Sequence, residues 1–295
     1  MPSSEIRVAY IVTAHKHPQQ VARMVRRLAV PGTAFLIHVD RKADPSVERG
    51  IRSGIAGFEN VHFLDRQPVH WGHFSLLGAI VRALAAMRDL GLDPDQTVIS
   101  TGQDYPIADP EAIARRLSSE SELAYVLYSA LPNMDWWPSD RGGLDRLERV
   151  YLRMPRRGMV RTRLKRRIPH GWRPYGGGAN LALGRPHREY VQDLIASDPR
   201  AVRFFRRGNT PDETFFQTVL MNSPLRDSVV NDHLLYARWQ QGANHPDLLG
   251  IEDLGEALAS SALFARKFDS EHDPEVLDEL ERRVERGLDQ PTAGH

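Results

Sequence analysis

Five short runs, Val8 to Thr13, Ala34 to Val39, Val61 to Leu64, Thr97 to Ser100 and Ala124 to Tyr128, are nearly unbroken in apolar, β-branched or aromatic residues and stop at polar or turn residues. Continuous hydrophobicity over so few residues predicts strands buried on both faces. Between them, Pro18 to Leu28, Ser75 to Leu90 and Pro110 to Leu117 carry apolar residues at helical spacing. The first and last of these place Pro in the first turn, where its missing N–H is not needed. This alternation predicts an α/β fold, with a mostly parallel central sheet and helices on both faces. Ligands of such sheets lie beyond the carboxyl ends of the strands. The positions to inspect are therefore Ala14-His15, Asp40-Arg41 and Gly102-Gln103-Asp104.

The pattern changes from about Asp135 to Trp172. Trp136 and Trp137 are followed by a dense basic stretch from Arg153 to Arg167, which reads as an insertion or mobile surface segment. The run Gly176 to Gly178 reads as a turn entering a strand at Ala179 to Leu183, and it lacks the spacing of a dinucleotide-binding fingerprint. Helices are predicted at Pro186 to Ala196 and Pro211 to Met221, a strand at Leu234 to Trp239 and a charged helix at Pro274 to Arg286.

Composition narrows the chemistry. With 295 residues, 41% hydrophobic, the chain can bury a sizeable core. Its 39 Lys and Arg nearly cancel its 38 Asp and Glu, so the global field predicts no nucleic-acid partner, and the basic stretch reads best as a solvated helix face or loop. A membrane surface, a nucleic acid or an anionic acceptor are its other readings. The absence of cysteine excludes disulfides, thiolate nucleophiles and cysteine–zinc sites. No apolar run approaches the length of a membrane span or signal segment, so the expected location is cytoplasmic, at most peripheral at a membrane.

In Thr210-Pro211-Asp212-Glu213, the spacing is that of a capping box, with Thr210 as N-cap and Glu213 returning a hydrogen bond to it. The other reading of Glu213 is a general base at the mouth of the sheet, accepting a hydroxyl proton. Arg266 and Lys267 sit between Phe264 and Phe268, and partly buried cations seek an anion, either Asp269 or a diphosphate. The one Asp-x-Asp, Asp93-Pro94-Asp95, precedes a strand and reads as a turn. His15/His17 and His70/His73 lack acidic partners at motif spacing and read as ordinary hydrogen-bonding residues. Ser75 reads as an N-cap and Trp71 as core.

The order of these segments resembles one family. AYIVTAHKHPQQVARMVRRL, IHVDRKAD, VHWGHFSLL, VISTGQDYPI, YGGGANLALGR, PDETFFQTVLMNS, HPDLLGIEDL and SSALFARKFD, spanning residues 9 to 269, are similar to the core-2/I-branching β-1,6-N-acetylglucosaminyltransferases and peptide O-xylosyltransferases. The resemblance implies a GT-A-type fold, a UDP-sugar donor carrying xylose or N-acetylglucosamine, and inverting transfer to an acceptor hydroxyl without a metal or other cofactor. It implies Glu213 as base, Arg266 and Lys267 as the diphosphate-binding cations, Val12, Ala14 and Asp40 at the nucleoside, Gln103 and Asp104 near the donor sugar, and Trp239 facing the acceptor. Expected partners are a UDP-sugar and a glycan, polysaccharide, peptide or small-molecule acceptor, with no nucleic acid and no stable membrane insertion. A single domain is expected over 5–270, with a nucleotide-binding half over about 5–130, an acceptor half over about 131–270, and a helix and tail over 271–295. Two departures stand out: the chain lacks the anchor and cysteines of animal members, and Gly176 to Gly178 replace a bulkier pattern on the acceptor side. A non-catalytic nucleotide-sugar-binding protein of the same fold is the alternative.

Overall fold

The computed structural model describes residues 7–240, 243 and 245–286. Residues 5–6 of the expected domain and the expected tail beyond 286 lie outside them. The chain folds as two compact units interleaved in sequence, one from Met1–Arg66, Ser100–Ser119 and Leu234–His295, the other from Gln67–Ile99 and Glu120–His233. Each unit combines β-strands with helices, as the α/β expectation requires.

The first unit contains β1 (Val8–Ala14), α1 (Pro18–Leu28), β2 (Thr33–Val39), α2 (Pro45–Gly54) and β3 (Val61–Phe63). It continues with β5 (Asp104–Pro106), α4 (Pro110–Ser119), β11 (Leu235–Ala237), α9 (Leu254–Ala259), β12 (Phe264–Arg266) and α10 (Val276–Glu285). β1, β2 and β3 run parallel, with Val8 opposite Thr33 and Phe35 opposite Val61. Every residue of β2 is buried, which is why its sequence is a continuous apolar run. A smaller sheet pairs β12 parallel to β11 and antiparallel to β5, which sets Arg266 directly opposite Asp104.

The helix over 45–54 is not among those expected, and it contains Gly50 and Gly54. There they let α2 pack closely on α1: a Cβ on Gly50 would stand 2.8 Å from Pro18 Cβ, and one on Gly54 2.6 Å from Ala22 Cβ. The helix is started by Asp44, whose carboxylate accepts the Ser46 N–H at 2.7 Å.

The second unit contains α3 (Ser75–Asp89), β4 (Gln96–Thr101, its last two residues in the first unit), β6 (Ala124–Ala130), α5 (Leu144–Glu148), β7 (Arg149–Met154) and β8 (Gly158–Lys165). β9 (Tyr175–Gly184), α6 (Arg185–Ser197), α7 (Pro199–Phe205), α8 (Phe215–Met221) and β10 (Val229–Val230) complete it. β9 lies antiparallel between β4 and β6, and β10 runs parallel to β6.

Five expectations are corrected in this unit. Gly176 to Gly178 are not a turn before a strand but belong to β9, where Gly177 faces the Leu127 carbonyl at a register shift in β6. The predicted helix from Pro211 is interrupted, a 3₁₀ turn over Pro211–Glu213 giving way at Thr214 to α8. The basic stretch is neither helix face nor loop but the antiparallel hairpin β7–β8. Trp71, expected in the core, is 73% exposed. Ser75 does not cap α3 through its side chain; its hydroxyl accepts the His70 N–H instead. Among the described residues, no helix is long and apolar enough to cross a membrane.

Candidate functional site

In the first unit, the expected donor residues gather at the carboxyl ends of β1 and β2 and along β5 and β12. Val12 is fully enclosed and Ala14 nearly so. Asp40 donates its N–H to the Ala14 carbonyl at 2.8 Å and accepts the Lys42 N–H on its carboxylate at 2.9 Å, so the loops after β1 and β2 are tied together. Asp104 is buried and accepts from the Thr101 N–H at 2.7 Å and the Thr101 hydroxyl at 3.0 Å. Arg266 Nε lies 3.5 Å from the Asp104 carboxylate.

Gln20, on α1, holds this region from beneath. Its amide donates to the carbonyls of Gly102 at 2.9 Å and Phe268 at 3.2 Å, and its oxygen accepts the Ser270 N–H at 3.0 Å. Gln103 adds backbone pairing, its carbonyl accepting the Phe268 N–H at 2.9 Å. Gln20 was not singled out from sequence, and only its buried amide in an otherwise apolar helix face hinted at such a role.

The close pairs of Asp269 are with Lys16 and His17, and it reaches Lys267 only through its charge. It accepts from Lys16 Nζ at 2.6 Å and lies 3.0 Å from His17 Nε2. Burial by itself would raise its carboxyl, but hydrogen bonds from Lys16, the Glu271 N–H and His17 together hold it well below the usual carboxylate range. The cations left around it repel one another. Burial, then Lys16 and Arg266, push the Lys267 ammonium down, and burial with Lys16 and Lys267 does the same to His15. A site whose cations disfavour their own charge is prepared for an anion. His15 and Lys16 join it by fold, not by motif.

His17 has acidic neighbours in space, though none at motif spacing: His17, Asp269 and Glu271 bring ligand-type atoms within 4.8 Å of one another. They come together over some 250 residues of sequence, which no spacing rule could reveal. Trp239 follows the end of β11 and is 57% exposed.

In the second unit, Glu213 does not form the capping box. Thr210 adopts a left-handed conformation, φ 43 and ψ 56, and its side chain caps nothing. Both residues are instead held by Arg146 of α5, whose Nη1 donates to Thr210 Oγ1 at 2.6 Å and to Glu213 Oε2 at 2.5 Å. The Arg146 guanidinium lies over the Trp137 ring at 4.7 Å, and its Nε is 3.4 Å from Asp140. Trp137 in turn packs on Gly176, where a Cβ would meet its ring at 2.9 Å. The glycine run therefore makes room for the tryptophan that backs the arginine that holds Glu213, whose side chain stays 32% exposed.

Asp93 and Asp95 lie in the irregular link before β4, with a bend only at Asp95. Arg185 pairs with both and Arg188 with Asp93. His70 and His73 stack edge to face, and the His73 ring accepts the Ser75 N–H at 3.1 Å.

Asp212, beside Glu213, is buried, and burial first and the Glu213 charge second raise its carboxyl to about 7. A carboxyl raised in the folded state stabilises the fold where it is protonated. That contribution is whole below the ordinary value of 3.8 and is lost as pH rises through about 7. Asp212→Asn is therefore expected to be more stable than the parent at pH 8 by about 1–3 kcal/mol, with the gap closing towards pH 4. Urea unfolding at the two pH values checks this, and a gap independent of pH would refute it.

The family model described as Core-2/I-Branching enzyme matches residues 8–261. Human xylosyltransferase 1 is 25% identical over 305 residues, covering 95% of this chain and 31% of that protein. Human xylosyltransferase 2 is 27% identical, covering 95% of the chain and 34% of that protein. Beta-glucuronosyltransferase GlcAT14A of Arabidopsis thaliana is 25% identical, covering 93% and 63% respectively. The chain thus spans about a third of the length of the xylosyltransferases it matches and under two thirds of the plant enzyme.

Proposed function

The chain belongs to the Core-2/I-Branching enzyme family, and on that footing we propose that it is a glycosyltransferase moving a sugar from a UDP-sugar to an acceptor hydroxyl with inversion. Glu213 takes the hydroxyl proton as the acceptor oxygen forms its bond to the anomeric carbon. The bond from that carbon to the diphosphate breaks on the opposite face, and UDP leaves with the pair. Arg266 and Lys267 neutralise the charge that builds on the diphosphate. Asp40 borders the nucleoside with the chain around Val12 and Ala14, Gln103 and Asp104 lie by the donor sugar, and Trp239 offers a ring to the acceptor.

The observation that supports the reading best is that Arg146, and not the start of its own helix, holds the Glu213 carboxylate, whose side chain stays 32% exposed. A carboxylate serving only its helix would bond to the Thr210 N–H, yet that N–H donates to the Gly72 carbonyl at 2.8 Å. We take the reaction to need no metal, the cations of the first unit doing what a divalent ion does elsewhere. His17, Asp269 and Glu271 make this a point to test, although Lys16 already neutralises Asp269.

The test is UDP release in excess EDTA from UDP-xylose, UDP-N-acetylglucosamine, UDP-glucuronate, UDP-glucose and UDP-galactose. Release from the first or second is expected at an undiminished rate. Release only after addition of Mn²⁺ would remove the metal-free mechanism, and binding of UDP without turnover of any donor would favour a nucleotide-sugar-binding protein of the same fold. Arg266→Ala and Lys267→Ala are each expected to weaken UDP binding by about tenfold or more, read by calorimetry.

A further inference from the structure

Nine cations and no carboxylate occupy residues 149–167, so the remainder of the chain carries a net −8 once those nine are set aside from the overall +1. Three of the nine are used inside the second unit. Arg149 donates to the Arg163 carbonyl, Arg161 pairs with Asp145, and Arg166 donates to the carbonyls of Phe204 and Arg146. The other six, Arg153, Arg156, Arg157, Arg163, Lys165 and Arg167, are exposed and make no ion pair among the described residues. In a protein so nearly neutral, a one-signed ribbon of this kind is a local field, not a consequence of composition.

The ribbon also exposes apolar side chains. Every residue from 152 to 158 is exposed, including Leu152 at 49% and Met154 at 44%, and Leu164 is 65% exposed. Leu152 and Met154 are two apart in β7 and so share a face, with Val160 opposite Leu152 on the same side. Arg153 and Met159, paired opposite one another, point to the other face. Met159 lies close to Gly72, 3.4 Å from where a Cβ would stand, and Gly72 follows the exposed Trp71. The hairpin thus turns Leu152 and Met154 outwards and flanks them with arginines at its tip, while its Met159 face lies towards Gly72.

We propose that the β7–β8 ribbon is a membrane-docking element that seats this protein on bilayers rich in anionic phospholipid. The cations meet the headgroups while Leu152 and Met154 enter the boundary below them, and long arginine stems can span both zones. A nucleic acid accounts for the charge but not for the leucine and methionine, and the ribbon's own aromatic, Tyr151, is buried and unable to stack on a base. An acidic polysaccharide likewise gives no reason for apolar side chains at the tip. The proposal uses neither Glu213 nor the cations of the first unit, so it stands or falls apart from the catalytic reading.

The test is co-sedimentation of the full chain with vesicles of phosphatidylcholine alone or in equal parts with phosphatidylglycerol, at low and high salt. Partition onto the mixed vesicles is expected to exceed that onto the neutral ones by about tenfold or more and to fall with salt. Arg156 is left-handed, φ 62, so Arg156→Gly keeps the turn while removing a charge. Combined with Arg157→Gln, it is expected to lower partition by about tenfold. Leu152→Ser with Met154→Ser is expected to remove the part that survives high salt. Arg200→Gln with Arg203→Gln, taking the same charge from α7, is expected to change nothing, and thermal melts confirm that each variant is folded. Equal partition onto both vesicles, or variants that partition like the parent, would overturn the proposal. So would ribbon-dependent binding of duplex DNA or heparin with none to vesicles.

Discussion

Glu213→Gln is expected to lower the rate of sugar transfer by about 10²- to 10⁴-fold while leaving UDP affinity within about twofold of the parent. The substitution is well matched to the site. A glutamine oxygen can still accept the Arg146 Nη1–H now held at 2.5 Å, and Arg146 retains Thr210 Oγ1 at 2.6 Å, so the 3₁₀ turn over Pro211–Glu213 keeps its anchor. What disappears is the capacity to take a proton. The capping role predicts the opposite pattern, since a side-chain amide serves a helix start nearly as well as a carboxylate and neither rate nor stability would change much. Steady-state rates with a fixed donor, paired with calorimetric UDP binding, separate the two. Turnover within about threefold of the parent would take Glu213 out of the chemistry. Loss of UDP binding as well would show that the variant had disturbed more than the base.

How far the sequence carries depends on whether a feature is local. β1, β2 and β4 were legible because a strand covered on both faces must be apolar throughout, and the limits of α1 were readable from its proline and its periodic apolar face. α2 was not, because its glycines serve contact with α1 and look from sequence like stops. The β7–β8 hairpin was hidden for a different reason: its alternation is short and set among nine basic residues, so the charge stands out and the strand pattern does not.

The same division runs through the site. Glu213, Arg266 and Lys267 stood out by neighbouring residues, and Thr210 suggested a capping box by spacing. The box fails because a left-handed Thr210 cannot present its hydroxyl to the turn that follows. The residues that decide the local electrostatics come from far away in sequence: Arg146 at Glu213, Lys16 and His17 at Asp269, and Asp104 at Arg266. Such pairings are tertiary facts. They correct the partner assigned to each charge without moving the charges themselves.

Gly177→Ala is expected to destabilise the second unit by about 3 kcal/mol or more, the largest stability effect of any conservative substitution in β9. A Cβ at this position would stand 1.8 Å from the Leu127 carbonyl oxygen, 2.7 Å from its carbon and 3.0 Å from Tyr128 Cα, and all three are backbone atoms of β6. Side chains can rotate away from an intruding methyl; a paired strand can yield only by separating. β6 and β9 are already out of simple register between Val126 and Tyr128, so the contact falls where the ladder has least to spare. Gly178→Ala is the control, because its Cβ would meet the His233 ring at 3.1 Å, a side-chain obstacle, and otherwise only ordinary contacts at 3.7 Å or beyond. The two variants should therefore differ by at least about 2 kcal/mol in urea unfolding, although they are neighbours and make the same chemical change. Because Gly176 packs on Trp137 and the Glu213 carbonyl, displacement of β9 by Gly177→Ala should also move the backing of Arg146. Transfer activity is then expected to fall below what the folded fraction accounts for. Equal stability of the two variants would mean that β6 can open at its bulge, and the glycine run would lose its role in shaping the Glu213 side of the unit.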